Sequence, residues 1–160
     1  MSAAERPRIP VKDRALRLLS ARSRSRAELR DRLLRAGYHP SEIESAIADL
    51  EAVGLVDDER FAREMAAKDR RRGLGRRAGL ASLRGKGVDR ALAERVTEET
   101  QSEDEEKRAI EVARARVSRL RGLDPPVARR RLLGFLLRRG YEGETARSAA
   151  RRVLEEEDAR

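Results

Sequence analysis

One short element occurs three times along the chain, and this repetition constrains the fold more than any other feature. In each copy a leucine lies four residues before a glycine, a basic residue lies between them, and a hydrophobic residue follows the glycine. The copies are residues 33–38, 83–88 and 136–141, and their glycines are 50 and 53 residues apart. A glycine directly after a leucine-rich run is typical of a helix end. A period of this length predicts a tandem helical repeat.

The residues between the copies also have helical spacing, and almost none alternate with the period of a strand. Ser25 and Glu28 have the spacing of a capping box, as do Ser41 and Glu44. Because one such unit cannot bury its apolar face alone, we expect the units to stack. The sequence therefore predicts an all-α protein of three tandem three-helix repeats, forming an elongated, curved array of right- or left-handed winding. The predicted boundaries are a disordered N-terminal arm (1–12), repeat 1 (13–56), repeat 2 (57–100), an acidic linker (101–106) and repeat 3 (107–156).

The composition supports a folded chain with a thin core. Charged residues make up 42% of the sequence and aromatic residues only 2%, against roughly 25% charged residues in an average domain. The chain has no cysteine, which excludes disulfides and thiolate metal sites. No apolar run reaches the roughly 18 residues of a membrane helix, and the first residues lack the apolar segment of a signal peptide. We therefore expect a cytosolic protein that does not contact a membrane.

The positive charge points to an anionic partner. The formal net charge is +9, and arginine supplies most of the positive side chains. Arginine makes bidentate contacts with phosphate or carboxylate, so nucleic acid or an acidic protein surface is the expected partner. GC-rich codon usage is the alternative explanation for part of the arginine excess.

Two basic stretches are candidates for partner contact, although each could also be a solvated helix face. The first covers residues 68–86, where two arginine groups surround Gly73 and Gly75. The second combines residues 114–121 with the arginines at 129–131 and 138–139, some of which must cover the apolar stripe with their stems. The predicted contact residues are Arg70, Arg71, Arg72, Arg76, Arg77, Arg84, Lys86, Arg129, Arg130, Arg131, Arg138 and Arg139.

No set of residues suggests catalysis. His39 is the single histidine, so neither a catalytic triad nor a histidine metal site can be assembled. The Gly73-Leu74-Gly75 segment lacks the Gly-Lys-Ser/Thr sequence of a phosphate loop. Asp57 and Asp58 are explained by helix capping, with a partner contact as the alternative. We predict a protein that is not an enzyme and that needs no metal or cofactor.

The string Gly-Leu-Val-Asp-Asp-Glu-Arg-Phe-Ala at residues 54–62 resembles the signature of the RecX family of recombinase regulators. Residues 71–77 and 83–88 resemble that family's basic glycine-containing turn and its leucine-to-Lys-Gly segment. The resemblance covers roughly residues 15–155, with three repeats in the expected order. Its signature residues here are Asp57, Asp58, Arg60 and Phe61.

The middle repeat departs from the pattern of the other two. Gly79 stands where Leu29 and Leu132 occur in the other repeats. We expect Leu80 to supply the missing apolar contact.

The resemblance implies a monomeric cytoplasmic regulator of the RecA recombinase in DNA repair, homologous recombination and the SOS response. Such a protein binds the RecA–single-stranded DNA filament and limits strand exchange, ATP hydrolysis and filament growth. The alternative is a helix-turn-helix transcriptional regulator, since each repeat contains short helices joined by a glycine turn. That alternative predicts a preferred duplex site and a two-fold dimer, which three tandem units in one chain do not favour.

Overall fold

A computed structural model describes residues 9–159, and within that range the chain forms nine α-helices and no strand. The helices are α1 (Val11–Ala21), α2 (Arg26–Arg35), α3 (Pro40–Ala52), α4 (Asp58–Arg71), α5 (Arg76–Gly85), α6 (Arg90–Gln101), α7 (Glu105–Val117), α8 (Pro125–Arg138) and α9 (Gly143–Asp158), with a 3-10 turn at Ser118–Leu120. The prediction of an all-α protein built from three-helix repeats is confirmed.

The chain is already helical at the end of the predicted N-terminal arm, whose residues 1–8 lie outside the described residues. Helix α1 begins at Val11, directly after Pro10. The Tyr38 hydroxyl donates a hydrogen bond to the Ile9 carbonyl at 2.8 Å, and Lys12 pairs with Asp49 at 3.1 Å. These contacts attach the start of α1 to α3 and to the turn before α3, which explains why α1 starts before residue 13.

The capping box at Ser25 is confirmed. The Glu28 amide donates to Ser25 Oγ at 3.0 Å, and the Ser25 amide donates to the Glu28 carboxylate at 3.4 Å. Burial raises the pKa of Glu28, but a hydrogen bond from Arg22 and the charge of Lys86 outweigh it and hold that pKa below its ordinary value. Glu28 is therefore ionised in the folded protein around neutral pH.

The predicted capping box at Ser41 is wrong. Helix α3 begins at Pro40, and His39 is its N-cap: the ring accepts from the Ser41 amide at 3.3 Å, while the His39 amide donates to Glu42 at 3.0 Å. Proline lacks an amide hydrogen and has a helical φ, so it fits the first helical position. The helix start therefore lies two residues before the one expected from a Ser41 cap.

The repeated glycines have the backbone conformation that the sequence pattern predicts. Gly37, Gly87 and Gly140 have φ angles of 81°, 72° and 87°. After two of them, the amides of Tyr38 and Tyr141 donate back to leucine carbonyls five residues earlier, both at 3.2 Å. This is the hydrogen bond of a Schellman helix end. A side chain with a Cβ is strained at these positions.

The chain divides into two compact units. The first consists of the residues up to Ala62 together with Lys86–Val88. Its core contains fully buried aliphatic residues from α2 and α3: Leu29, Leu33, Ile43, Ile47 and Leu50. Within this unit, Ser25 Oγ donates to the Lys86 carbonyl at 2.5 Å. The turn before Gly87 is thereby attached to the start of α2.

The second unit contains residues 63–85 and the chain from Asp89 onward. Its core lies among α7, α8 and α9, with Leu132, Leu136 and Tyr141 fully buried. The Gly75 amide donates to the Arg139 carbonyl at 2.8 Å, which attaches the start of α5 to the turn before the third repeated glycine. A Cβ on Gly75 would lie 2.5 Å from the backbone of that turn, so the two backbones approach as closely as only glycine permits.

Gln101, rather than the expected Leu80, occupies the space beside Gly79. Gly79 is buried, and a Cβ built on it would collide with the Gln101 side-chain amide. Gln101 is itself fully buried, and its Nε2 donates to the Ala66 carbonyl at 3.4 Å. The Gln101 amide reaches the space beside Gly79 from α6. Leu80, which was expected to fill this space, is only half-buried.

Much of the acidic stretch between the second and third repeats is helical. Helix α6 extends to Gln101 and α7 begins at Glu105. Residues 102–104 connect them, and Asp104 has a φ of 59°. The exact boundaries of the repeats and of the linker stay a prediction.

Candidate nucleic-acid interface

Several predicted contact residues are bound to other parts of the protein, and Arg76 is the first example. Its guanidinium pairs with Glu98 at 2.7 Å and with Glu142 at 2.9 Å. Its backbone amide donates to Glu105 at 2.7 Å. Arg76 therefore fastens α5 to α6, α7 and the start of α9, all within the second unit.

Three further predicted contacts also have partners inside the protein. Arg70 donates to the Thr100 carbonyl at 2.6 Å, and Arg77 donates to the Leu137 carbonyl at 3.1 Å. Lys86 lies 3.5 Å from the Glu28 carboxylate. These side chains contribute to helix ends and helix pairs, so they have less freedom to bind a partner.

Six of the predicted contact residues lie together with two further arginines on one surface of the second unit, which we call the arginine groove. Its arginines come from three places: the end of α4 and the residue after it, the end of α7 with the 3-10 turn, and the outer face of α8 with its end. They are Arg71, Arg72, Arg116, Arg119, Arg130, Arg131, Arg138 and Arg139. Arg84 and Arg129, which were also predicted contacts, are exposed but do not line this groove.

The groove has two compartments that share Arg116 and Arg119. The first has a volume of about 340 Å³ and the second about 440 Å³. Non-arginine side chains in the first are Val112, Ala115 and Phe135, whereas the second has only Leu120. No carboxylate lines either compartment.

The positive charge of the groove is largely uncompensated. Seven of its arginines form no ion pair with any residue between 9 and 159: Arg71, Arg116, Arg119, Arg130, Arg131, Arg138 and Arg139. By contrast, Arg114 on the same helix as Arg116 pairs with Glu156 at 2.9 Å, and Arg121 pairs with Glu157 at 2.6 Å. A groove lined by one sign of charge concentrates its field on an anionic ligand.

Phe135 organises the first compartment. The guanidinium carbons of Arg116 and Arg139 lie 5.1 and 5.3 Å from the centroid of its ring, within the range of cation–π attraction. Arg139 also donates to the Arg72 carbonyl at 2.6 Å. These contacts hold two guanidinium groups at the floor of the groove before a ligand arrives.

Sequence reasoning did not select Arg116, Arg119 or Phe135 as individual contacts. Both arginines lie inside the basic stretch 114–121 that the sequence indicated. With Val112, they have the i, i+4, i+7 spacing of one helix face. Phe135 has no comparable signal: Arg139 follows it at i+4, but its other neighbours in the groove, Val112, Ala115 and Arg116, come from α7.

The residues of the signature string stabilise the first unit. Asp57 accepts from the Arg60 amide at 2.9 Å, and Asp58 accepts from the Arg26 amide at 2.7 Å. The Arg60 guanidinium donates to the Gly54 carbonyl at 2.8 Å, and Phe61 is 2% exposed. These contacts give each signature residue a structural role.

The described part of the chain contains no cluster of three histidine or acidic side chains that could hold a metal ion. Among the same residues, no helix combines the length and apolar character needed to cross a bilayer. His39 serves as a helix cap.

Three-helix repeats with a charged groove define a helical-repeat protein of the binding class. Residues 12–50 match the first three-helix domain of RecX, and residues 103–150 match the third. The chain is 40% identical over 141 residues to the regulatory protein RecX of Amycolatopsis mediterranei, covering 87% of this chain and 80% of that protein. It is 36% identical over 157 residues to the RecX of Streptomyces lividans, covering 96% and 84%. The chain belongs to the RecX family of regulatory proteins.

A solved structure agrees with this assignment at the level of the fold. The crystal structure of RecX from Lactobacillus salivarius superposes with a TM-score of 0.79 at 19% identity, covering 89% of this chain and 94% of that one. The regulatory family suggests that the chain is not an enzyme.

Proposed function

We propose that this protein binds the RecA–single-stranded DNA filament and restrains strand exchange, ATP hydrolysis and filament growth, and that the arginine groove contacts the phosphates of the DNA. The observation that carries the proposal is the set of seven groove arginines without ion pairs in the second unit. Guanidinium groups bind phosphate oxygens in a bidentate manner. The protein would act as a monomer in the cytoplasm, without a cofactor.

The proposal separates arginines that lack an ion pair from arginines that have one. Arg130 and Arg138 are free to neutralise phosphates, whereas Arg114 and Arg121 are already neutralised by glutamates. Each phosphate contact on a single strand contributes about 0.7 to the slope of log K against log salt. Removing two such contacts should therefore lower that slope by about 1.4.

The test is the single-strand-dependent ATPase of RecA, titrated with this protein at less than one copy per RecA protomer. We expect the wild-type protein to inhibit hydrolysis, and the double variant Arg130→Gln/Arg138→Gln to inhibit less. The matched control is Arg114→Gln/Arg121→Gln, which makes the same change in charge on arginines that already have partners. An ATPase that does not change at equimolar wild-type protein refutes the proposal. Equal inhibition by both double variants would show that the arginine groove does not take part in the inhibition.

The alternative function is a helix-turn-helix regulator of transcription. It predicts a preference for one duplex sequence over single-stranded DNA, measured by filter binding with and without RecA. The groove arginines come from separate helices and turns, whereas a recognition helix places its contacts on one element. We therefore favour the filament regulator.

A further inference from the structure

The two compartments of the arginine groove differ in chemistry as well as in position. The first combines guanidinium groups with an apolar floor made by Val112, Ala115 and Phe135. The second is almost purely cationic. A ligand made only of phosphates would match the second compartment and leave the apolar floor of the first without a partner.

The floor of the first compartment suits a flat, uncharged ring. Guanidinium planes and aromatic rings both stack on nucleobases, and Arg116, Arg139 and Phe135 are already gathered there by cation–π contacts. Ala115 is exposed and Val112 is half-buried, so their methyl groups are accessible. The volume of about 340 Å³ lies within the usual range for small ligand sites, roughly 300–1,000 Å³.

We propose that the first compartment takes one unstacked base of a single-stranded nucleic acid, while the second compartment holds phosphates of the same strand. This inference rests on the proposed binding of DNA by the groove and adds the feature that selects single strands. A duplex keeps its bases stacked inside the helix, so it can offer phosphates to both compartments but no base to the first.

The arrangement favours a nucleic acid over an acidic peptide. A strand presents regularly spaced phosphates with a flat ring between them, and the groove presents arginines around a flat apolar floor. An acidic peptide supplies carboxylates but no ring at each residue. Tighter binding of polyglutamate than of the oligonucleotide, at matched length, would overturn the proposal.

The experiment measures fluorescence anisotropy of a labelled thymidine oligonucleotide, an abasic oligonucleotide of equal length and a duplex, in the absence of RecA. We expect the wild-type protein to bind the thymidine strand about tenfold more tightly than the abasic strand, the order of effect of one stacked base. Ala115→Leu fills the floor and keeps every arginine, so it should abolish this ratio without changing the salt dependence. The matched control is Ala91→Leu on α6, another exposed helical alanine outside the groove.

A second variant guards against an indirect effect of the first. Phe135→Leu keeps an aliphatic contact with the core against which Phe135 packs but removes the ring, and it should also abolish the ratio. Far-UV circular dichroism checks that both variants are folded. Equal affinity of the wild-type protein for thymidine and abasic strands, or an unchanged ratio in the two variants, refutes the base site. Neither result tests whether the protein inhibits the RecA ATPase, so the two proposals can fail separately.

Discussion

The close approach of α5 to the third-repeat turn makes Gly75→Ala the most informative test of the fold. The new methyl group would lie 2.5 Å from the carbonyl carbon of Gly140 and from the amide nitrogen of Tyr141. Both atoms belong to the backbone, which cannot rotate away as a side chain can. The helix and the turn must therefore separate.

The cost follows from two contributions. Overpacking costs about 1–3 kcal/mol, and weakening the hydrogen bond from the Gly75 amide to the Arg139 carbonyl costs about 0.5–1.5 kcal/mol. We expect a loss of about 2–4 kcal/mol, a large part of the 5–15 kcal/mol by which domains are usually stable. With a slope of about 2 kcal/mol per molar urea, the urea midpoint should fall by about 1–2 M.

Gly85→Ala is the matched control, since Gly85 is the last residue of α5, the helix that Gly75 immediately precedes, and a Cβ there meets nothing within 4 Å. Alanine is favoured over glycine in helices by up to about 1 kcal/mol, so this variant should unfold at the wild-type midpoint or slightly above it. Urea titrations followed by circular dichroism measure both. A Gly75→Ala midpoint equal to that of Gly85→Ala would contradict the close approach.

Three further predictions concern single side chains. Gly79→Leu should destabilise the protein, because the leucine collides with the side-chain amide of Gln101. Adding Gln101→Ala should recover part of the lost stability, because the leucine then occupies the space of the amide. Additive losses of stability in a double-mutant cycle would contradict this. The pKa of Glu28 is lowered on folding, so the Glu28 carboxylate stabilises the folded protein fully above about pH 5. This stabilisation declines as the pH falls through the folded pKa. The difference in urea midpoint between the wild type and Glu28→Gln should shrink over that range. Tyr141→Phe removes the hydroxyl that donates to the Gly73 carbonyl at 3.0 Å and should cost about 1 kcal/mol, and an unchanged thermal midpoint would argue against that hydrogen bond.

Local signals in the sequence were sufficient to predict the repeats. Glycine at 37, 87 and 140 marks each helix end, because the left-handed conformation there disfavours other residues. The capping box at Ser25 is equally local. His39 was missed as a cap because histidine is an uncommon N-cap and the Ser41 pattern competed with it.

The groove could be predicted only in part, because its composition depends on contacts between distant segments. Arg76 and Arg138 look alike in the sequence, yet the first is paired with two glutamates and the second with none between residues 9 and 159. Which carboxylates reach an arginine is decided by the packing of α5, α6 and α9. Similarly, Gln101 fills the gap beside Gly79 from another helix, whereas a local pattern offered only Leu80.

The concentration of positive charge in one groove has a consequence for how copies of this protein can share a ligand. The formal net charge of the chain is +9, and the groove alone contains eight arginines. Once phosphates neutralise them, the rest of the molecule has a formal charge close to zero. Copies bound next to one another along the same polyanion would then repel each other only weakly. Dense occupancy would therefore carry little electrostatic penalty.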